Sequence, residues 1–539
     1  SDTYRDNADY EREDIFFKVQ NNTESINSYL DLNHNSKKQL MPGTRIIGGV
    51  YNYHLCNLLS TSRTAKNIGG SFARNGNSCN IEQRDDYANE ENTSLSAGFQ
   101  TNITESKQIN FLISNRSKEQ RAFYAANGNT KSTPNDGDRF IDTDLDNTQL
   151  SLILDDSIFI GDNPALIKYG FDYSDTDYSS NRHRKENESV GQYDQATQDS
   201  RAFYIQSSLN LPKQASVLSF GLRNEKTNFS GEDTVDRNID GFKNSWNATD
   251  HDSLSSSTTN TVINIGLEKI ITENVKVFAK YAESFRTPNI DERIKSTTSG
   301  SFALLDQESD EVEFGIRLND TKYNISASIY SMDTQNEIQY DQSKNTNLDP
   351  ISREGMNLDF DYEINSSTML LGSYSYVQAA FTSGTLSPGG GGTGSCDFAN
   401  TTYCSNSNTW KNIMGGGTVY NISGKSVPLV SPNTFNLKLE RKVNSFNTII
   451  FDLNYVDEKY VSNDPENVEP KIPDYYLANI KLRHLRGPMS LQIGINNLLN
   501  EEYYDFAVAS TFHDDDHFGL SGVYPLAKRT AYVNLNYEF

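Results

Sequence analysis

The last ten residues of the chain, TAYVNLNYEF (530–539), alternate between two kinds of side chain. Every second position is apolar or aromatic, namely Ala531, Val533, Leu535, Tyr537 and Phe539. Polar groups dominate the positions between them, which are Tyr532, Asn534, Asn536 and Glu538. Successive side chains of a β-strand point to opposite faces. This stretch therefore predicts a strand with one apolar face and one polar face.

The same alternation recurs along much of the chain. It is clearest in residues 311–318, 356–363, 435–440, 476–483 and 489–496. A period of two is the pattern of a strand, and no stripe with a helical period competes with it. The sequence therefore predicts an all-β protein.

Short turns alternate with long polar loops between these strands. Short turns are predicted at 21–24, 102–105, 211–214, 271–274 and 443–446. Long loops are predicted at 34–90, 179–197, 230–257, 287–307, 382–431 and 507–528, with shorter ones near 127–137, 342–350 and 464–472. Such alternation is typical of an antiparallel transmembrane β-barrel with tight periplasmic turns and large extracellular loops. About nineteen to twenty strands are expected, the first near 12–20 and the last both running inward.

The composition fits this architecture. Only 35% of the 539 residues are hydrophobic and the mean hydropathy is −0.66. No run of about eighteen apolar residues could span a bilayer as a helix. Aromatic residues nevertheless reach 11%, with 30 Tyr and 27 Phe. A barrel reconciles these facts, because alternate strand residues face a polar lumen and the loops are polar.

Two soluble architectures are the alternatives to the barrel. Strands of β-sandwiches also alternate, but they usually hold about 5–6 residues. The segments 106–126, 138–157 and 322–341 hold 20 to 21 residues each, more than three times that length. A β-helix needs a short fixed repeat, and none is present.

The net charge and the cysteine positions limit which partners and which cysteine chemistry the sequence predicts. The net charge of −24 argues against nucleic acid, which needs clustered Lys and Arg. It is compatible with cation attraction or with solubility alone. Four cysteines form two local pairs, Cys56 with Cys79 and Cys396 with Cys404. Loop disulfides formed in an oxidising compartment are expected, with metal ligation as the alternative.

No enzyme motif is present. The sequence has no phosphate-binding Gly-rich loop followed by Lys-Ser/Thr, no nucleophile elbow and no His-Glu-x-x-His motif. We expect no enzymatic activity and no cofactor.

Three stretches resemble the TonB-dependent outer-membrane receptors. VFAKYAESFRTPNIDE (277–292) resembles the mid-barrel signature of that family. LQIGINNLLNEEYYDFAVAS (491–510), followed by YPLAKRTAYVNLNYEF (524–539), resembles its C-terminal signature. The opening SDTYRDNADYERED (1–14) is similar to an early barrel segment. The likeness extends over essentially the whole chain.

The resemblance implies a receptor that imports a scarce nutrient chelate with energy from TonB. Members of the family have a plug domain inside a barrel of 22 strands. No plug is recognisable in residues 1–539, so the whole chain is expected to be barrel domain, without the plug and the first strands. The chain begins at Ser1 with no visible signal peptide, so a processed or truncated N-terminus is expected.

The resemblance also suggests roles for individual residues. Tyr537 and Phe539 would be read as a signal by the barrel-assembly machinery, and the outward set of the last strand would contact outer-membrane lipid. The candidate lumen residues facing a plug are Glu311, Glu313, Arg317, Asp359, Asp361, Glu363, Lys438, Glu440, Lys481 and Arg483.

Two places are candidate cargo-binding sites. The first is Arg286 at the end of an outward strand, near Tyr281 and Phe285. The second is TFHDDDHFG (511–519), whose candidate residues are Phe512, His513, Asp514, Asp515, Asp516, His517 and Phe518. Imidazole and carboxylate groups suit a transition metal, and a solvated acidic turn is the alternative.

A ferric siderophore is the expected cargo, and cobalamin, haem or a glycan are alternatives. The expected location is the outer membrane of a Gram-negative bacterium. A passive porin-type channel or a surface-binding barrel without transport are the alternative functions.

Overall fold

The computed structural model describes residues 9–41, 45–48, 72–74, 79–81, 86–124, 139–183, 189–235, 251–294, 303–341, 344–386, 420–462, 464–467, 471–509 and 520–537. Nineteen strands of this part form one sheet. They are β1 (Tyr10–Asn22), β2 (Ile26–Leu40), β6 (Tyr87–Asn102), β7 (Lys107–Tyr124), β8 (Arg139–Ile160), β9 (Asn163–His183), β10 (Gln192–Leu211), β11 (Ser216–Val235), β12 (His251–Thr272), β13 (Val275–Arg286), β14 (Gln307–Asn319), β15 (Tyr323–Gln335), β18 (Ile351–Asn365), β19 (Thr368–Phe381), β22 (Asn433–Lys442), β23 (Asn447–Val456), β24 (Tyr475–Arg486), β25 (Met489–Asn496) and β28 (Thr530–Tyr537).

Small elements lie in the long connections. A five-stranded sheet joins β3 (Arg45–Gly48), β4 (Phe72–Arg74), β5 (Cys79–Ile81), β26 (Tyr504–Ala509) and β27 (Leu520–Pro525). Two hairpins pair β16 (Ile338–Asp341) with β17 (Lys344–Asn347) and β20 (Thr385–Leu386) with β21 (Tyr420–Asn421). The described helices are the five-residue α1 (Ile290–Ile294) and a 3₁₀ turn at Pro212–Gln214. Neither of these helices has the length or the apolar run needed to cross a membrane.

Successive strands of the large sheet pair antiparallel in chain order, which is an antiparallel meander and confirms the predicted antiparallel order. Turns of two to four residues join the strands at one end of the sheet, which we call the turn end. All five predicted short turns lie there. Longer segments join the strands at the opposite end, the loop end.

The strands reach further toward the loop end than the sequence pattern indicated. The predicted loops 179–197 and 230–257 are wrong at their edges, because β9 to β12 leave only 184–191 and 236–250 between strands. The outer parts of these strands carry mostly polar residues with only scattered apolar ones such as Tyr178 and Phe229, so no regular apolar alternation revealed them. The predicted long strand 322–341 is also wrong, because it breaks at Asn336, whose φ of 56° is left-handed.

The two faces of the sheet differ in chemistry. Large hydrophobic side chains on one face are exposed, including Phe314 at 55% and Val533 at 70%. Register places Leu491 beside Leu535 and Ile493 beside Val533, so the apolar face continues across strands. We call this continuous set the apolar band and the opposite surface the polar face. Exposed apolar area of this extent marks contact with lipid or protein.

The two edge strands run in the same direction. Because β1 precedes a short turn and β28 follows a long segment, both run toward the turn end. Within the described residues, neither has a strand partner on its outer edge. Two strands of the same direction cannot pair antiparallel with each other.

Side chains of neighbouring strands pack closely on the polar face at Gly170. The ring of Tyr204 covers this glycine so closely that an added Cβ would lie 1.9 Å from the ring carbon Cζ. We expect Gly170→Val to lower the free energy of unfolding by about 1–3 kcal/mol through overpacking. Urea unfolding in detergent micelles would measure it. Gly170→Val/Tyr204→Ala should recover most of the loss, and an equal loss in both variants would contradict the packing argument.

Candidate functional site

A charged network crosses the polar face on β12, β13 and β14. Lys280 Nζ lies 2.9 Å from Glu311 Oε1 and 4.0 Å from Glu313 Oε2. Arg317 forms an ion pair with Glu268, two strands away. The sequence-predicted residues Glu311, Glu313 and Arg317 therefore share one surface and are paired there with neighbouring strands.

The other predicted polar-face residues lie on strands closer to β28. Lys438 Nζ is 3.8 Å from Glu440 Oε1, and Lys481 Nζ is 3.9 Å from Asp452 Oδ2. Alternation places the remaining members of the predicted set on the same face, namely Asp359, Asp361, Glu363 and Arg483. Their contact with a plug stays a prediction.

Asp359 also lines a recess in the polar face. The cavity measures about 250 Å³, and amide and hydroxyl groups of Asn357, Ser375, Asn436 and Asn454 surround it. Ser375 Oγ donates to Asn357 Oδ1 at 2.8 Å. These groups can donate and accept hydrogen bonds, so the recess can hold a polar segment or water.

Arg286, a predicted cargo residue, is engaged by α1. Its Nη1 donates to both carboxylate oxygens of Glu292 at 2.9 Å. Glu292 also accepts from the Asn289 amide N–H at 3.0 Å, and Asn289 Oδ1 accepts from the Glu292 amide N–H at 2.8 Å. This reciprocal pair is a capping box. The pattern Asn-x-x-Glu was readable in the sequence, so the cap could have been predicted.

Helix α1 folds back onto the polar face of β9 to β11. Ile290 and Ile294 pack with Tyr178, Ala196 and Phe229 in one buried cluster. Because these side chains are buried, the helix lies against the polar-face side of the strand extensions and not in solvent. The segment after β13 is thus a fixed part of the polar surface.

The buried cation of this cluster is Arg293, which is 3% exposed. Its guanidinium lies 4.8 Å from the centroid of the Phe229 ring, and Nη1 donates to the Leu304 carbonyl at 3.2 Å. Asp306 Oδ1 is 4.0 Å away. Burial lowers the pKa of Arg293, while Asp306 and Glu292 raise it. Ring, carbonyl and carboxylate together compensate part of the desolvation cost.

Three long segments interlock beside the last strands. Ser426 N–H donates to Asn467 Oδ1 at 2.7 Å, and Asn467 Nδ2 returns a bond to the Ser426 carbonyl at 2.9 Å. The buried Lys459 pairs with Asp505 at 2.6 Å, and Tyr475 Oη donates to the same carboxylate at 3.1 Å. These contacts tie the segments after β19, β23 and β25 into one unit at the loop end.

A buried carboxyl pair lies on β10 and β11, beyond the apolar band. Asp194 is 0% exposed and directly opposite Asp233. Gln192 Nε2 donates to both, at 3.3 and 3.2 Å, and Arg182 Nη2 lies 3.4 Å from Asp194 Oδ2. Burial raises the pKa of Asp194 to about 7; Arg182 opposes this and Asp233 adds to it. Sequence analysis missed this pair, because only strand register brings the two residues together.

Several predicted residues lie outside the described residues. These are Phe512, His513, Asp514, Asp515, Asp516, His517, Phe518 and Phe539, together with Cys56, Cys396 and Cys404. Cys79 lies in β5, and its predicted disulfide with Cys56 is untested. Within the ranges that the structure describes, no group of three or more His, Cys, Asp or Glu side chains could hold a metal ion.

Comparison with known proteins identifies the family. The family model described as "TonB dependent receptor-like, beta-barrel" matches residues 4–498. The chain belongs to the TonB-dependent receptor family. The sequence-based resemblance is therefore confirmed, and the polar face is the lumen wall of a receptor barrel. No curated protein matches the sequence.

Solved receptors share the fold at low identity. The ferric-catecholate import receptor Fiu from E. coli K12 in its closed form is 14% identical, with a TM-score of 0.69 over 99% of this chain and 75% of that one. The siderophore receptor PiuA from Acinetobacter baumannii is 15% identical, with a TM-score of 0.71 over 98% and 74%. The ferric citrate transporter FecA, unliganded, is 12% identical, with a TM-score of 0.69 over 99% and 71%.

The capping box of α1 gives a proteolysis prediction. Glu292→Ala removes the Arg286 contact and the side-chain acceptor of the Asn289 backbone N–H, while the backbone bond to Asn289 Oδ1 stays in place. The expected loss at the helix start is about 0.5–1.5 kcal/mol. Because α1 then opens more often, trypsin should cleave after the buried Arg293 several-fold faster. Glu105→Ala, in the exposed turn between β6 and β7, is the matched control. Equal cleavage of Glu292→Ala and wild-type protein would show that the box does not hold α1.

The Asp194–Asp233 pair gives a pH prediction. The folded pKa of Asp194, about 7, is above the ordinary carboxyl value of about 4. Between these values the folded state keeps a proton that the unfolded state loses, so stability falls as pH rises through this window. The slope should approach about 1.4 kcal/mol per pH unit.

Thermal unfolding at several pH values between 4 and 8 would measure the slope. Asp194→Asn removes the titrating carboxyl and should flatten the profile, whereas the exposed Asp162→Asn should leave it unchanged. A slope that survives in Asp194→Asn would assign the pH dependence to other groups.

Proposed function

We propose that this chain is the barrel of an outer-membrane receptor that imports a scarce nutrient chelate with energy from TonB. Ferric siderophore is the proposed cargo. The observation that carries the proposal is the family match over residues 4–498. Receptors named for ferric-catecholate and siderophore import, Fiu and PiuA, share the fold over nearly the whole chain. In this proposal residues 1–539 are one barrel domain, and a plug domain fills the lumen.

The lumen wall suits such a plug. In the proposal, Glu311, Glu313, Arg317, Asp359, Asp361, Lys438, Glu440 and Arg483 face it, along with Glu363 and Lys481. Charged pairs such as Lys280–Glu311 keep this wall polar, so a plug can slide or unfold against it while its own polar groups find replacement partners. TonB would supply the pull that opens the path.

Cargo capture is proposed at the loop end. The segment with Phe512, His513, Asp514, Asp516, His517 and Phe518 is the first candidate, since its donors suit a metal complex. Arg286 is the second candidate, and it would have to exchange Glu292 for the cargo. Helix α1 and the interlocked segments would form the fixed rim beside these groups.

The proposed location is the outer membrane of a Gram-negative bacterium. The apolar band would contact lipid, and the barrel-assembly machinery would recognise the last strand through Tyr537 and Phe539. The net charge of −24 and the absence of a clustered basic surface in the sequence favour no nucleic-acid partner.

Energy-dependent uptake is the deciding experiment. Cells that carry the full-length receptor should accumulate radiolabelled ferric siderophore, and uptake should stop when the proton gradient is collapsed or TonB is deleted. Parallel assays with cobalamin, haem and an oligosaccharide would identify a different cargo. Steady conductance in planar bilayers that does not need TonB would replace the proposal with a passive channel. Ligand binding without uptake would replace it with a surface-binding barrel.

A further inference from the structure

The border of the apolar band on the side of the loop end is sharply defined on β9, β10 and β11. The rings of Phe171 and Phe203 pack on the outward face with centroids 4.9 Å apart, and Phe203 is 63% exposed. The exposed Leu222 continues the band on β11. One step further toward the loop end, the outward residues of β9 and β10 are Tyr173 and Arg201. The surface thus changes from apolar to cationic within one residue pair.

Two cations face each other at this border. Arg201 on β10 lies directly opposite Lys226 on β11, and both side chains are exposed. Like charges directly opposite each other destabilise an antiparallel pair. The Arg201 guanidinium lies 5.8 Å from the centroid of the Tyr173 ring, which orients it along the border. An anionic group between the two cations would turn this repulsion into attraction.

Neighbouring carboxylates satisfy these cations only in part. Asp199 Oδ2 lies 3.9 Å from Arg201 Nε, but it also accepts a hydrogen bond from Asn228 at 2.9 Å. Asp175 is opposite Asp199, one step further from the band. Among the described residues, no carboxylate lies within ion-pair distance of Lys226. At least one positive charge is therefore available to a ligand that approaches from the band.

We propose that Arg201 and Lys226 bind the phosphate of an outer-leaflet lipid whose acyl chains lie against Phe203 and Leu222. The inference rests on the proposed placement of the apolar band in the membrane. A guanidinium holds phosphate with paired N–H donors, and a lysine adds a point charge. Each cation near a membrane surface contributes about a fivefold gain in affinity for anionic lipid. The occupant is a phosphorylated membrane lipid rather than free phosphate, because the cations adjoin exposed apolar side chains.

The test uses the purified full-length receptor in neutral detergent micelles and lipid A as the probe. Native mass spectrometry would count bound lipid A, with dephosphorylated lipid A as the matched ligand. Arg201→Gln/Lys226→Gln should weaken binding of the phosphorylated form by about thirtyfold. Lys213→Gln/Lys322→Gln removes the same charge from exposed positions in two turns at the opposite end of the sheet and should bind as wild type does.

Two further variants and a competition with inorganic phosphate distinguish lipid binding from binding of phosphate alone. Asp199→Asn should strengthen binding, because it removes the competing carboxylate. Phe203→Gln should weaken binding of lipid A but not of inorganic phosphate. Equal binding of both lipid forms, equal loss in the turn-end control, or competition by inorganic phosphate at the same concentration as lipid A would each overturn the proposal.

The lipid site and the transport proposal can fail independently. Arg201 and Lys226 point away from the lumen, so Arg201→Gln/Lys226→Gln should retain TonB-dependent uptake. Lipid A binding is measured on purified protein and needs no cargo. Absence of TonB-dependent uptake in cells whose wild-type receptor binds lipid A as expected would count against the transport assignment alone.

Discussion

The inter-strand hydrogen-bond ladder is the constraint on which the rest of the structure depends. In hydrocarbon no water can satisfy a free backbone N–H or C=O, so each group must pair within the protein. An antiparallel meander meets this demand with the shortest connections. The nineteen described strands of the sheet meet it by pairing in chain order. The ladder decides which residues lie opposite each other, and it thereby sets the two faces of the sheet and the side-chain pairs between strands.

Register carries this constraint to the side chains. A slip of one residue would exchange the apolar and polar faces of a strand. Large rings resting on glycines oppose such a slip: Tyr204 covers Gly170, and Phe278 covers Gly315. A side chain in place of either glycine would collide with the ring. These pairs make the register specific in stretches where polar residues alone would permit several pairings.

Beyond the apolar band the ladder becomes a scaffold for the loop end. Strands β9 to β11 extend past the band and expose an inner surface on which α1 packs. Because the strands are fixed, the helix and its cap hold Arg286 and Arg293 in defined positions. Near the C-terminal strands, the Lys459–Asp505 ion pair joins the segment after β23 to the segment after β25. The mouth of the barrel is therefore built from loops that depend on the strands beneath them.

Alternation alone was enough to predict the all-β class, the meander, the approximate strand count and the short turns. It also placed Glu311, Glu313 and Arg317 on the polar face. It was not enough for the extensions of β9 to β12, because apolar residues there are too few and too scattered to show a period of two. The position of Arg286 at the end of an outward strand suggested a cargo role and did not reveal its contact with Glu292, although the Asn-x-x-Glu spacing was present in the sequence.

The sequence by itself determined the side-chain period, and the period determined the faces, because local backbone geometry fixes where successive Cβ atoms point. Tertiary structure alone decided which residues meet across strands. Asp194 and Asp233 pair across strands although they are 39 positions apart in the sequence. The border residues Tyr173 and Arg201 also pair, and they are 28 positions apart. No local pattern encodes such meetings, because they follow from turn lengths and register summed over whole hairpins.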